Sequence, residues 1–130
     1  LTRGTVYGAG TATSWQEGEQ ARPGISGHTP AYGQTHLEWA LRLPPAPLQL
    51  AFGAAIVKGG EQVTFSVMVN GLPVWNGGWP GSGKLLPGVV DLTRWAGQPV
   101  LLSLVTDADG ANNCDWAVWV EPRLEPATVR

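Results

Sequence analysis

Cysteine is almost absent: the lone Cys114 has no internal partner for a disulfide, and without a CxxC or a Cys/His spacing the chain offers no zinc site. Charge is sparse too. Only 14% of residues are charged, the formal net charge is −2, and Lys and Arg are scattered rather than gathered into a stripe that would track a phosphate backbone, so nucleic acid is not expected as a partner. No apolar run approaches the roughly 18 consecutive residues of a membrane-spanning helix. Residues 1–15 also lack a basic stretch leading into an apolar core, so neither membrane insertion nor a targeting segment is expected. Helical periodicity is missing as well, since no segment longer than about eight residues keeps a 3.6-residue period, and long helices are thereby excluded.

What the chain does contain is turn chemistry and aromatic surface: 18 Gly, 11 Pro and 7 Trp in 130 residues. That length predicts one domain over residues 1–130, large enough for a core without disulfide staples. A chain that begins at Leu1 rather than Met is expected to be a domain of a larger, already processed protein.

Strand patterning begins clearly at Leu37. Leu37, Trp39, Leu41 and Leu43 alternate with His36, Glu38, Ala40 and Arg42, the period of two of a half-buried strand, until Pro44, Pro45 and Pro47 end it. Leu48, Leu50, Phe52, Ala54 and Ile56 form the next apolar face, after which Lys58-Gly59-Gly60-Glu61 reads as a hairpin turn. Val63, Phe65, Val67 and Val69 alternate with Thr64, Ser66 and Met68, and Asn70-Gly71 is the strongest hairpin signal in the chain, returning into 72–75. A Gly-rich loop over 76–83 carries Trp79, followed by a strand over 85–92. Residues 93–97 read as one helical turn, with Asp91 as cap and Gly97 as stop, and 100–106 and 116–121 as the last strands. Before Gly33 the pattern weakens to a strand over 11–15 and a long loop over 18–32. Seven or eight short strands with Gly/Pro turns predict an all-β fold, a jelly-roll β-sandwich of two antiparallel sheets with one short helical turn.

The order VTFSVMVNG, VW, VVDLTRWAGQPVLLSLVTDADG and DWAVWVEPRL, within residues 36–124, resembles the galactose-binding-like jelly-roll superfamily. Within it the chain is similar to the novel putative carbohydrate-binding module appended to bacterial glycoside hydrolases. The most specific piece is Asp115-Trp116-Ala117 behind an Asn/Asp loop. Asn112-Asn113-Cys114 before it, and Trp119 and Glu121 after it, depart from that pattern, so no sugar specificity is carried over. The resemblance implies a secreted, bacterial, lectin-like accessory domain. It would bind a polysaccharide or oligosaccharide without catalysis and tether the catalytic domain of a larger chain to glycan. It also implies a structural calcium near the chain ends, for which Glu121 and an early loop over 14–19 are candidates.

For sugar binding, the candidates are Trp75 and Trp79 around the Asn76-Gly77-Gly78 loop, where indole faces would stack on pyranose C–H faces and Asn76 would bond hydroxyls. His28 and Tyr32, with Trp15, stand in the N-terminal segment, where jelly rolls often build sites; the alternative for each aromatic is plain burial. Trp39 and Trp95 read as core. Trp116 and Trp119 face opposite sides of one strand, so at most one packs between the sheets, and an outward Trp119 would be a second stacking surface unless an N-terminal segment covers it.

Asp107, Asp109, Asn112, Asn113 and Asp115 put five oxygen-bearing side chains in nine positions, a density of hard ligands that suits calcium. The spacing is not that of an EF-hand, and the alternative is a solvated Asx-rich turn. The metal candidates are therefore Asp107, Asp109, Asn112, Asp115 and Glu121. No catalytic residue is selected: the chain has ten Asp and Glu but no motif that singles out a pair. A sandwich serving structure or protein interaction without a sugar site, and a small glycan lyase or hydrolase, stand as the two alternatives. Exposed indoles in one groove would favour sugar binding, burial of all seven Trp the first alternative, and a deep cleft with facing carboxylates the second.

Overall fold

A computed structural model describes residues 4–8, 11–17, 19–26, 33–56, 63–78, 83–108 and 117–127. Among them are ten strands and one 3-10 turn: β1 Gly4–Gly8, β2 Thr11–Glu17, β3 Gln20–Ser26, β4 Gly33–Arg42, β5 Leu48–Ile56, β6 Val63–Val69, β7 Leu72–Gly77, β8 Leu85–Asp91, the turn Thr93–Trp95, β9 Pro99–Ala108 and β10 Ala117–Pro126. They form two five-stranded sheets, β1-β4-β9-β6-β7 and β2-β3-β10-β5-β8. This is the expected jelly-roll sandwich. All pairings are antiparallel except that of β1 with β4, which is parallel.

Two strands lie where the sequence predicts none. β1 carries Gly at both ends and no apolar alternation. β3 falls inside the expected 18–32 loop and contains Pro23-Gly24, a pair that reads as a turn. Gly24 has a packing reason to be there: a Cβ at this position would lie 2.7 Å from Val118 Cγ1 and 3.0 Å from the Trp119 carbonyl oxygen. The hairpin expected at Lys58–Glu61 is corrected. Those residues lie outside the described ones, but the strands they join, β5 and β6, belong to different sheets, so the connection crosses the sandwich. The Asn70-Gly71 hairpin is present, with φ of 53° and 79°, both in the left-handed region that such a turn requires. Asn70 also extends the sheet beyond its own strand, because its side-chain Oδ1 accepts the Leu101 N–H at 2.8 Å.

The core lies between the sheets. Leu37, Leu102, Leu104, Phe65, Val67 and Val69 on one side meet Leu48, Leu50, Phe52, Ala54, Ile56 and Trp119 on the other. Its centre is aromatic: Trp119 meets Phe52 and Phe65 edge-on, with ring centroids 5.2 and 5.3 Å away, and Phe52 meets Trp75 at 4.8 Å. Trp119 is 1% exposed, which places it between the sheets and corrects the outward alternative. Trp15, on β2, is buried instead against Ala55, Val118 and Val120, the residues that alternate with the inward ones of β5 and β10, and so covers the outer face of the second sheet. Trp39 is partly buried against the core and lines an apolar recess of about 260 Å³ with Leu41, Leu102 and Leu124.

Successive connections alternate between the two ends of the sandwich. At the end that carries the Asn70-Gly71 turn, the 43–47 and 92–98 links are tied together by Leu43 N–H to the Gln98 carbonyl and Gly97 N–H to the Leu43 carbonyl. Trp95 is buried here beneath the Arg94 guanidinium, 4.5 Å from its ring centroid. Gly97 sits at φ 75°, ending the turn as expected. At the other end the chain leaves β3, β5, β7 and β9 and re-enters at β4, β6, β8 and β10 through 27–32, 57–62, 78–84 and 109–116.

Asp91 is expected as the cap, but the N-cap is Leu92; from one residue further out, Asp91 Oδ1 still accepts the Thr93 N–H at 2.9 Å. Hydrogen bonds from the Thr93 side chain and backbone lower the Asp91 pKa below its ordinary value. A depressed folded-state pKa means that the contribution is complete above the unfolded value, about 3.9, and disappears as pH falls through the folded one. Thr93→Val should therefore move the Asp91 titration, followed by carboxyl NMR, back up toward that ordinary value, and an unmoved midpoint would deny the bond its role.

Candidate functional site

Strand parity decides which side chains reach the outer face of the first sheet. On β4, Leu37 faces the core, so Gln34, His36 and Glu38 face out. Register then sets their neighbours: Asp107 lies opposite Gln34, Val105 opposite His36 and Ser103 opposite Glu38. The next strand adds Thr64 beside Asp107, Ser66 beside Val105 and Met68 beside Ser103, and Asn76 follows beside Ser66.

A chain of side-chain hydrogen bonds crosses this face. Gln34 Nε2 donates to Asp107 Oδ2 at 3.1 Å, which turns Gln34 Oε1 toward His36 Nε2, 2.8 Å away. An amide oxygen only accepts, so His36 Nε2 carries a proton. On the other side of the ring, Nδ1 lies 3.6 Å from Glu38 Oε2, and that same oxygen accepts from Ser103 Oγ at 2.9 Å. Asp107 is thereby held in place by Gln34, and Gln34 by His36.

Where this face meets the 27–32, 57–62, 78–84 and 109–116 connections there is an open depression of about 420 Å³. It is lined by Gln34, Thr64, Ser66, Asn76 and Asp107, with Gly77 and Gly78 at the rim. Carboxylate, amide and hydroxyl groups converge on it, and no Lys or Arg is among its described lining residues. The nearest described acid on the same face, Glu38, stands four residues along β4 from Asp107's partner Gln34, roughly 13 Å at 3.3 Å per residue.

The predicted site residues divide by placement. Asn76 is exposed at the depression and Asp107 is in its wall. Trp75 does not share that surface: it lies opposite inward-facing Val67 and faces Phe52 and Trp119 between the sheets, while Asn76, one residue on, faces out. Trp79, His28 and Tyr32 lie outside the described residues, as do Asp109, Asn112 and Asp115. Each belongs to a connection that joins the sheets at the end that carries the depression. Glu121 does not join Asp107 in one coordination sphere. It is on β10 in the other sheet, at φ 46° beside a register shift, where it pairs with Arg22. Among the described residues no cluster of three or more His, Cys, Asp or Glu could hold a metal.

Gln34, Thr64 and Ser66 were not singled out by the sequence. Alternation marks them as outward, but their meeting depends on the β4-β9-β6 register, which joins segments some 30 to 70 residues apart and has no local signal.

No family model matches the chain, and no curated protein matches it in sequence. Solved structures do. CBM27-1 of Caldicellulosiruptor saccharolyticus, solved with mannohexaose, matches with a TM-score of 0.58 at 8% identity, over 90% of this chain and 84% of that one. The C-terminal domain of EclA, a sugar-binding protein, matches with a TM-score of 0.55 at 11% identity, over 89% of this chain and 78% of that one. What is shared at such identities is the architecture: the chain has the jelly-roll β-sandwich fold on which these carbohydrate-binding modules are built.

Proposed function

We propose that the chain is a non-catalytic carbohydrate-binding module whose glycan site is the depression walled by Gln34, Asn76 and Asp107. The observation that carries this reading is convergence. A polar, open surface of acceptors and donors lies at the end of the sandwich where the connections bearing Trp79, Tyr32 and His28 enter and leave the sheets. Aromatic faces beside a few fixed polar groups are what sugar recognition requires, and an open, shallow site suits binding rather than turnover. Sugar binding in the two fold neighbours supports the same reading.

In this account the module is secreted, belongs to a larger bacterial polysaccharide-degrading protein, and raises the local concentration of a catalytic partner on its glycan, so that even a weak site is useful. A glycan array probed in calcium and in chelator tests it: binding to at least one oligosaccharide is expected, and no binding in either condition removes the sugar-binding reading.

Calcium is a separate element of the proposal. The candidates separate into two sets: Asp107, Asp109, Asn112 and Asp115 on one side, and Glu121, paired with Arg22 in the other sheet, with 14–19 on the other. An ion held only by the folded chain stabilises it by mass action, so saturating calcium should raise the melting temperature above that in chelator. Equal melting temperatures, starting from metal-free protein, would withdraw the ion.

A further inference from the structure

We infer that, free of calcium, the depression selects neutral glycans over acidic ones, with Asp107 as the residue that sets the discrimination; the inference rests on the glycan-binding reading above. Asp107 brings a negative charge into the wall, and Gln34 pins it there through a bond to Oδ2 while His36 pins Gln34. A carboxylate only accepts, so it favours hydroxyl donors, to which its bonds are charge-assisted. The other polar side chains that line it are amides and hydroxyls, Glu38 adds a second negative charge to the same face, and no described Lys or Arg lines the depression to neutralise an incoming anion. A uronate carboxylate brought within about 4 Å of Asp107 would lose about tenfold or more in affinity by repulsion alone.

The substitution Asp107→Asn separates charge from shape. The asparagine keeps an oxygen for the Gln34 Nε2–H, and its amide nitrogen replaces the other oxygen, turning a fixed anion into a neutral donor of the same size.

The test uses β-1,4-mannohexaose and cellohexaose against the corresponding hexamers of mannuronate and glucuronate, titrated calorimetrically in chelator so that no cation bridges a uronate to Asp107. At least one neutral hexaose is expected to bind about tenfold or more tightly than its uronate. Asp107→Asn, checked for an unchanged melting temperature, should narrow the ratio to about threefold or less, and raised salt should narrow it in the wild type by screening the repulsion. Should the substitution unfold the chain, the salt dependence alone decides. Uronates bound as tightly as neutral hexaoses, or a ratio unmoved by both Asp107→Asn and salt, overturns the inference and leaves sugar binding intact. Absence of binding to all four, in a chain that also binds nothing on the array, removes the sugar-binding reading and the inference with it.

Discussion

Replacing Trp119 by alanine is expected to cost the fold about 3–5 kcal/mol, the range for truncating a large aromatic in a packed core. The indole is 1% exposed and wedged between the sheets, with Phe52 and Phe65 edge-on at 5.2 and 5.3 Å and Trp75 at 6.4 Å. The void left by alanine has rigid rings on several sides and little freedom to collapse, which argues for the upper part of the range. Against a usual domain stability of about 5–15 kcal/mol, such a loss is a large fraction. Trp119→Phe is a useful control, because the buried Nε1 has no hydrogen-bond partner among the described residues, so phenylalanine removes volume without breaking a bond. Its loss should be clearly smaller. Urea unfolding with unchanged m-values measures both, and a loss under about 1 kcal/mol for alanine would deny Trp119 its place in the core.

The second large effect concerns the site. Trp79→Ala is expected to weaken glycan binding by about 1–3 kcal/mol, the scale of burying one large apolar side chain, while leaving unfolding unchanged. Trp79 follows Gly77 and Gly78, which rim the depression, so the chain leaves β7 at the point where a stacking ring would serve Asn76 and Asp107. An unchanged isotherm, for a ligand the wild type binds, would remove Trp79 from the site. A coincident drop in stability would instead assign the indole to packing.

How much of this was legible in the sequence depends on the range of each interaction. The inward faces of β4, β5 and β6 could be read directly because large apolar residues recur at every second position of each, even on β5, whose outer face of small residues is buried as well. The Asn70-Gly71 turn and the one-turn helix beside Asp91 were also legible, since both are set within a few residues. β3 was not, because its Pro23-Gly24 pair reads as a turn, and only the approach of Val118 and the Trp119 carbonyl from another strand explains the glycine. The sequence pattern ends a strand at Trp75 and starts a loop at Asn76, which puts both at one site. β7 instead continues through Gly77, and one residue of strand turns them to opposite faces. Glu121 is a metal candidate only through the resemblance, which implies a calcium near the chain ends; its partner Arg22 is 99 residues away and invisible to any local pattern.

The account stands most directly on where a glycan touches the chain. Backbone amide shifts of ¹⁵N-labelled protein, titrated with the tightest-binding neutral oligosaccharide from the array, would locate it. The expected result is saturable shifts clustered at Gln34, Thr64, Ser66, Asn76 and Asp107, with 93–98 at the opposite end unmoved. Shifts confined to 93–98, or to the outer face of the second sheet around Trp15 and Val89, would contradict it.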